Sequence, residues 1–300
     1  MLKVTYGFLA QCCRNLEKTR TFYQRVLGFT VEEERKASSE VVAKLLHVPW
    51  PMDLTVCWMR HGEFLLEFQD SATPKRRDAV AWRPLRAGLQ FLTLEVRDLA
   101  GTLATAERYG GAVLPQTNVG QACCIADPDG QAIKLIDMRV YDGGGVSRPP
   151  ADQPPVNPAW PAIRYRHIGQ MVPDLAAARR FYEEFLGFIC VRAYVSQSPL
   201  SARQLGAKEP MRLEIAVLRK EGLELELMAL AGQQLEPAQP WQANRPGLNF
   251  LHLRVPDPAA LVAVAPRYGG TVVQETNIGR ACFVRDPSGQ VVNLVAADTR

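Results

Sequence analysis

The chain has 300 residues, 47% hydrophobic and 22% charged, a globular composition with apolar mass for two cores that excludes a disordered, collagen-like or coiled-coil chain. Its 35 basic and 31 acidic residues leave a net charge of +4 with no basic stripe or face, so a nucleic-acid partner is not expected. No run approaches the roughly 18–20 apolar residues of a membrane-crossing helix, and no membrane role is expected.

The first fourteen residues lack the basic, apolar, small-residue order of a secretory signal, and a cytoplasmic location is expected. A strand-like run, Thr5–Cys13, then leads to Asn15, a good helix N-cap. Behind it Leu16, Phe22, Tyr23, Val26 and Leu27 recur at helical spacing until Gly28 offers a left-handed C-cap. Three strands follow. A strand at Leu89–Val96, a helix at Ala100–Tyr109 and three short strands come next, with the turn Asp127-Pro128-Asp129-Gly130 before the last.

Beyond a Gly- and Pro-rich stretch the order repeats. The strand Arg164–Val172 precedes the N-cap Asp174, a helix carrying Leu175, Ala178, Phe181, Tyr182, Phe185 and Leu186, and Gly187 as C-cap. Strands at Phe188–Val195, Leu213–Arg219 and Leu223–Ala229 follow, the last two joined at Glu221-Gly222. A strand at Leu248–Val255, a helix at Pro258–Tyr268 and the turn Asp286-Pro287-Ser288-Gly289 close the chain. Seven cysteines without a CxxC spacing, several inside apolar strands, read as buried reduced thiols.

Sliding the sequence against itself gives one dominant register, an offset of 159. Between Arg108–Gln131 and Arg267–Gln290, 14 of 24 positions are identical. A period this long, present twice, means tandem domains. They are placed at 1–140 and 161–300, joined by a linker at 141–160, and each is built of two β-α-β-β-β units.

These motifs resemble the vicinal oxygen chelate superfamily, the glyoxalase, bleomycin-resistance and extradiol-dioxygenase fold. The resemblance rests on Asp174-Leu175, Phe181–Phe188, Leu225-Glu226-Leu227 and Asp286–Leu294, with Asn15-Leu16, Phe22–Phe29, Leu66-Glu67-Phe68 and Asp127–Leu135 in the first half. It implies an α+β fold of two tandem domains whose curved mixed sheets surround cavities. It also implies a divalent metal held by His and Glu from the first, fourth, fifth and eighth strands of two units, acting as a Lewis acid. Reaction type does not follow from the fold.

Carried over by position, the first-strand site is Phe8 or His167, the fourth-strand site Glu67 or Glu226, the fifth-strand site Phe91 or Phe250, and the eighth-strand site Lys134 or Asn293. Sharing between halves would gather Phe8, Glu67, Phe250 and Asn293 at one site and His167, Glu226, Phe91 and Lys134 at the other. Neither has the usual ligands, so no cofactor is expected. One departure is open: His252, two residues beyond Phe250, would lie on the same strand face, and His167, Glu226 and His252 would make an improvised site for Fe, Mn, Ni or Zn.

The leading expectation is a metal-independent isomerase, lyase or cyclase acting on a hydrophobic small molecule, with an aromatic or polycyclic skeleton as one option. His167 is its general base, Glu226 the orienter or acid, and His252 or Asn293 the group that polarises a carbonyl. Phe8, Phe91 and Phe250 would stack on the ligand, and Lys134, Asn293 and Glu67 would bind it. Two alternatives stand beside this: a sequestering protein like the bleomycin-resistance branch, and an Fe(II) dioxygenase-like enzyme using the improvised site. Because the duplication puts a domain pair in one chain, a monomer or a homodimer is expected.

Overall fold

The computed structural model describes residues 3–73, 76–79, 81–139 and 162–297; the linker expected at 141–160 lies outside them. Four β-α-β-β-β units follow one another. The first holds β1 (Thr5–Cys12), α1 (Leu16–Leu27), β2 (Thr30–Lys36), α2 (Glu40–Leu45), β3 (Asp53–His61) and β4 (Phe64–Thr73). The second holds β5 (Gly88–Val96), α3 (Leu99–Arg108), β6 (Ala112–Leu114), β7 (Ala122–Ala126) and β8 (Ala132–Asp137). The third holds β9 (Ile163–Met171), α4 (Leu175–Arg179), β10 (Ile189–Ser196), α5 (Pro199–Leu205), β11 (Leu213–Lys220) and β12 (Leu223–Leu230). The fourth holds β13 (Gly247–Val255), α6 (Pro258–Val264), β14 (Thr271–Val273), β15 (Ala281–Arg285) and β16 (Val291–Ala296).

The unit boundaries follow local chemistry. Asn15, Asp98, Asp174 and Asp257 each accept a backbone N–H of the first helical turn, the capping bond their residue types favour. Gly28 ends α1 at φ +72°, where a Cβ would be strained. Two helices depart from the expected pattern. Behind α4 the chain continues as a π-helical turn, Arg180–Phe185, that keeps Phe181, Tyr182 and Phe185 buried. Behind α6 it tightens into a 3-10 turn at Ala265–Tyr268, where Pro266 has no N–H to continue the α ladder.

The units assemble into two mixed sheets of eight strands, ordered β14-β15-β16-β13-β1-β4-β3-β2 and β10-β11-β12-β9-β5-β8-β7-β6. Each sheet joins the outer or inner units of the two halves: β1 runs antiparallel to β13, and β5 antiparallel to β9. One central apolar cluster holds residues of both sheets and of the helices. A buried clasp recurs in both halves. Asp127 accepts from the Gln11 amide at 2.7 Å and from the Asp129 and Gln131 amides at 2.9 Å, while Asp286 accepts from Gln170, Ser288 and Gln290 in the matching places. Gln11 lies on the first sheet and Asp127 beside β8 of the second, so this turn ties the two sheets together. All seven cysteines are unpaired, as expected.

Candidate functional site

Alternation along the inner strands divides side chains between the central core and a concave face. Leu9 of β1 and Leu66 and Phe68 of β4 enter the core, whereas Phe8, Glu67 and Gln69 face the cavity of the first sheet. Leu225 and Leu227 of β12 enter the core, and Glu226 and Met228 face the second sheet's cavity. The two cavities differ greatly in size. The first is about 1180 Å³, walled by Phe8, Trp58, Glu67, Phe250, His252 and Asn293. The second is about 40 Å³, walled by Phe91, Lys134, His167, Tyr194 and Glu226.

In the large cavity Glu67 is 5% exposed, and burial pushes its carboxyl from the ordinary 4.5 up to about 7. The Gln69 amide, donating to Oε1 at 2.7 Å, and the Arg35 charge pull back only part of that rise. His252 stacks on Phe8 with ring centroids 4.1 Å apart. It has room because residue 7 is glycine: a Cβ there would stand 2.5 Å from His252 Cδ2. Burial, and then the Arg254 charge, lower the His252 imidazole to about 3, so the ring is neutral near pH 7. Asn293 Nδ2 lies 3.4 Å from His252 Nδ1; with the amide donating to Nδ1, the neutral ring carries its proton on Nε2. Asn293 Oδ1 is buried without a hydrogen-bond partner.

The small cavity sets His167, Lys134, Tyr194 and Glu226 on one wall. His167 Nε2 lies 3.1 Å from Glu226 Oε2, an ion-pair contact outside hydrogen-bond angles, and Nδ1 has no hydrogen-bond partner. Tyr194 Oη donates to Glu226 Oε1 at 3.2 Å. Burial alone would raise Glu226, but His167 and then Lys134 and Tyr194 outweigh it and hold the carboxyl at about 2. The Lys134 ammonium sits 5.7 Å from the centre of the Phe91 ring.

The sites are thus shared between halves, and His167, Glu226 and His252 do not come together. His252 does face a cavity, but β13 bonds to β1 rather than β9, so it joins Phe8, Glu67, Phe250 and Asn293. The position it would need beside His167 is held by Thr93, 159 residues earlier and its register partner across the sheet. Neither wall holds the His and Glu set that the resemblance implies. The large cavity offers Glu67 with a neutral His252 and Asn293, and the small one sets an ammonium beside its His and Glu; among the described residues no three His, Cys, Asp or Glu side chains converge on a point.

Sequence reasoning missed Gln69, Arg35, Tyr194 and Gly7. Arg35 and Tyr194 are 159 apart and line opposite cavities, so comparing the two copies at cavity positions would have found them; the role of Gly7 needs the β1 to β13 register. His47 is exposed, and His61 is half-buried, packed edge-on to Phe29. Among the tryptophans, Trp58 lines the large cavity, Trp82 abuts Phe91, Trp241 abuts Phe283, and Trp50 is half-exposed. Among the described residues no helix is long and apolar enough to cross a membrane.

Two models of the glyoxalase, bleomycin resistance protein and dioxygenase superfamily match residues 5–135 and 166–284. No curated protein is significantly similar to the sequence. Among solved structures, glyoxalase I from Zea mays superposes with a TM-score of 0.62 at 17% identity, over 99% of this chain and 93% of that one. A putative dioxygenase from Bacillus subtilis superposes with a TM-score of 0.54 at 10% identity, over 98% of this chain and 86% of that one. At these identities the likeness is one of fold. With both halves matched in tandem, the chain belongs to the glyoxalase, bleomycin resistance protein and dioxygenase superfamily.

Proposed function

We propose that the protein binds a flat, largely apolar small molecule in the large cavity and moves a proton on it with Glu67, as an isomerase, lyase or cyclase independent of metal. The observation that carries this is the contrast between two cavities of common origin: one closed around an ionised Glu226, the other open around a Glu67 whose carboxyl titrates near 7. A group with that pKa can both take and return a proton near neutral pH. Phe8, Trp58 and Phe250 would hold the ring system, and the neutral His252 and Asn293 would donate to a carbonyl oxygen. Glu67 would then remove a proton from the adjacent carbon and deliver it elsewhere on the same skeleton. Both sheets are completed within one chain, which supports a monomer.

The test is turnover of a panel of aromatic and polycyclic ketones, with Glu67→Gln beside the parent chain. The expected loss is ~10²–10⁴-fold. Activity of the parent should rise with pH to a plateau above about 7, as Glu67 ionises into its basic form. Full turnover in Glu67→Gln would overturn the assignment. Tight binding with the ligand recovered unchanged would make the cavity a sequestering one.

A further inference from the structure

Where the halves meet, β5 and β13 begin at Gly88 and Gly247, and a separate cavity of about 150 Å³ lies against both strand starts. Its wall is built twice, from residues 159 apart: Trp82 and Trp241, Arg86 and Arg245, Gln131 and Gln290. The glutamines are fully engaged. Gln131 accepts from the Leu248 amide and donates to the Gln90 carbonyl, and Gln290 accepts from the Leu89 amide and donates to the Asn249 carbonyl. They clasp the strands, and the arginines and indoles complete the wall.

The cations on this wall outnumber the anions. Arg83 and Arg86 share one carboxylate, Glu236, while the partners of the Arg245 guanidinium among the described residues are the neutral amides of Gln239 and Gln242. Asp129 also borders the cavity, but its two oxygens accept from the Arg14 amide and the Thr19 hydroxyl.

The duplication breaks at one bond. Trp241 Nε1 donates to Asn249 Oδ1, whereas Gln90, at the equivalent of Asn249, turns its amide nitrogen to the Arg86 and Gly88 carbonyls. Trp82 Nε1 is therefore buried without an acceptor, and so are Nε of Arg86 and Nε of Arg245. Every unpartnered buried side-chain atom on this wall is an N–H donor, so what the cavity lacks is an acceptor.

We propose that this cavity binds a small oxyanion, the carboxylate or phosphate group of a metabolite, with Arg86 and Arg245 supplying charge and Trp82 Nε1 a directed hydrogen bond. The volume admits a small anion or the head of a larger one, and the position between β5 and β13 couples its occupancy to the junction of the halves. It is independent of the large cavity and of any proton transfer there.

Isothermal titration of the full chain with inorganic phosphate and with oxalate, at constant ionic strength set by chloride, tests it. One saturable site per chain is expected for at least one probe, and which probe binds tells phosphate from carboxylate recognition. Arg245→Gln should weaken binding about tenfold or more, the loss of a charge-assisted bond. Trp82→Phe keeps the ring and removes only the N–H; it should weaken binding several-fold while leaving the melting temperature without anion unchanged, and it decides the matter if Arg245→Gln does not fold. Absence of saturation by either probe up to about 10 mM would overturn the proposal. So would unchanged affinity in both variants.

Discussion

Glu67 and Glu226 occupy the same place in the two copies and are equally buried, 5% exposed each, yet burial governs one and its neighbours the other. Gln69 gives Glu67 one neutral hydrogen bond; around Glu226 stand the His167 ring, the Lys134 ammonium and the Tyr194 hydroxyl, which donates to it. The consequence reaches stability. A carboxyl held at about 7 in the folded chain contributes stability that is full below about 4.5 and is lost as pH rises through about 7, an effect of about 3 kcal/mol. Urea unfolding should therefore find Glu67→Gln more stable than the parent at pH 8 by up to that amount, and close to it at pH 4. Asp127, also raised to about 7 by burial and by Asp129, makes the parent fall further over the same window but cancels in the comparison. Glu226 works in the opposite sense, stabilising above about 4.5 and losing that contribution as pH falls toward 2. The identity of Glu67 as a cavity residue was legible from its place in the motif. Its chemistry was not, because that depends on which side chains share the pocket.

At the level of elements, the decisive pairings lie between strands far apart in sequence. Alternation puts His252 on the concave face of β13, and this much follows from the sequence; that β13 pairs with β1 does not. A second contact between distant elements builds part of the large cavity's wall. The β11 to β12 turn reaches the β3 to β4 turn, where Glu221 accepts from the Tyr6 amide and Gly222 abuts Glu63 so closely that a Cβ would stand 2.2 Å from its carbonyl oxygen. Gly62, at the matching turn, has open space around it and only a φ of +60° to satisfy. Gly222→Ala should cost ~1–3 kcal/mol by overpacking against backbone and should weaken ligand binding in the large cavity. Gly62→Ala should cost ~1 kcal/mol from its backbone conformation alone and leave binding unchanged. Thermal unfolding and ligand titration of the two variants separate these outcomes.

In the molecule as a whole, neither half contains a complete sheet. Removing residues 161–300 would leave β1 and β5 as open edges, since their partners β13 and β9 would be gone. Two copies of the first half can restore both sheets by pairing β1 of one with β5 of the other. Residues 1–140 expressed alone should therefore sediment as a dimer or aggregate rather than as a folded monomer. A stable folded monomer would show that each half closes a sheet on itself. The same arrangement explains why one duplication yields two unlike cavities: each draws its wall from both copies, so a change such as Arg35 against Tyr194, or Gly7 against Arg166, acts on one cavity only.

The sequence by itself determined the repeated units, their helix caps, which strand residues point away from the core, and the loss of the metal-ligand pattern at Phe8, Phe250, Phe91 and Lys134. Those features depend on spacing, on residue type and on a repeat visible at one offset. Tertiary structure alone decided which strands pair across the halves, and with that the partition of His167 and Glu226 from His252. It also decided which cavity is open and which carboxyl titrates near neutrality. Hydrogen bonding between strands far apart in the chain leaves no local trace, and the pKa of a buried group is set by neighbours that only the folded chain brings to it.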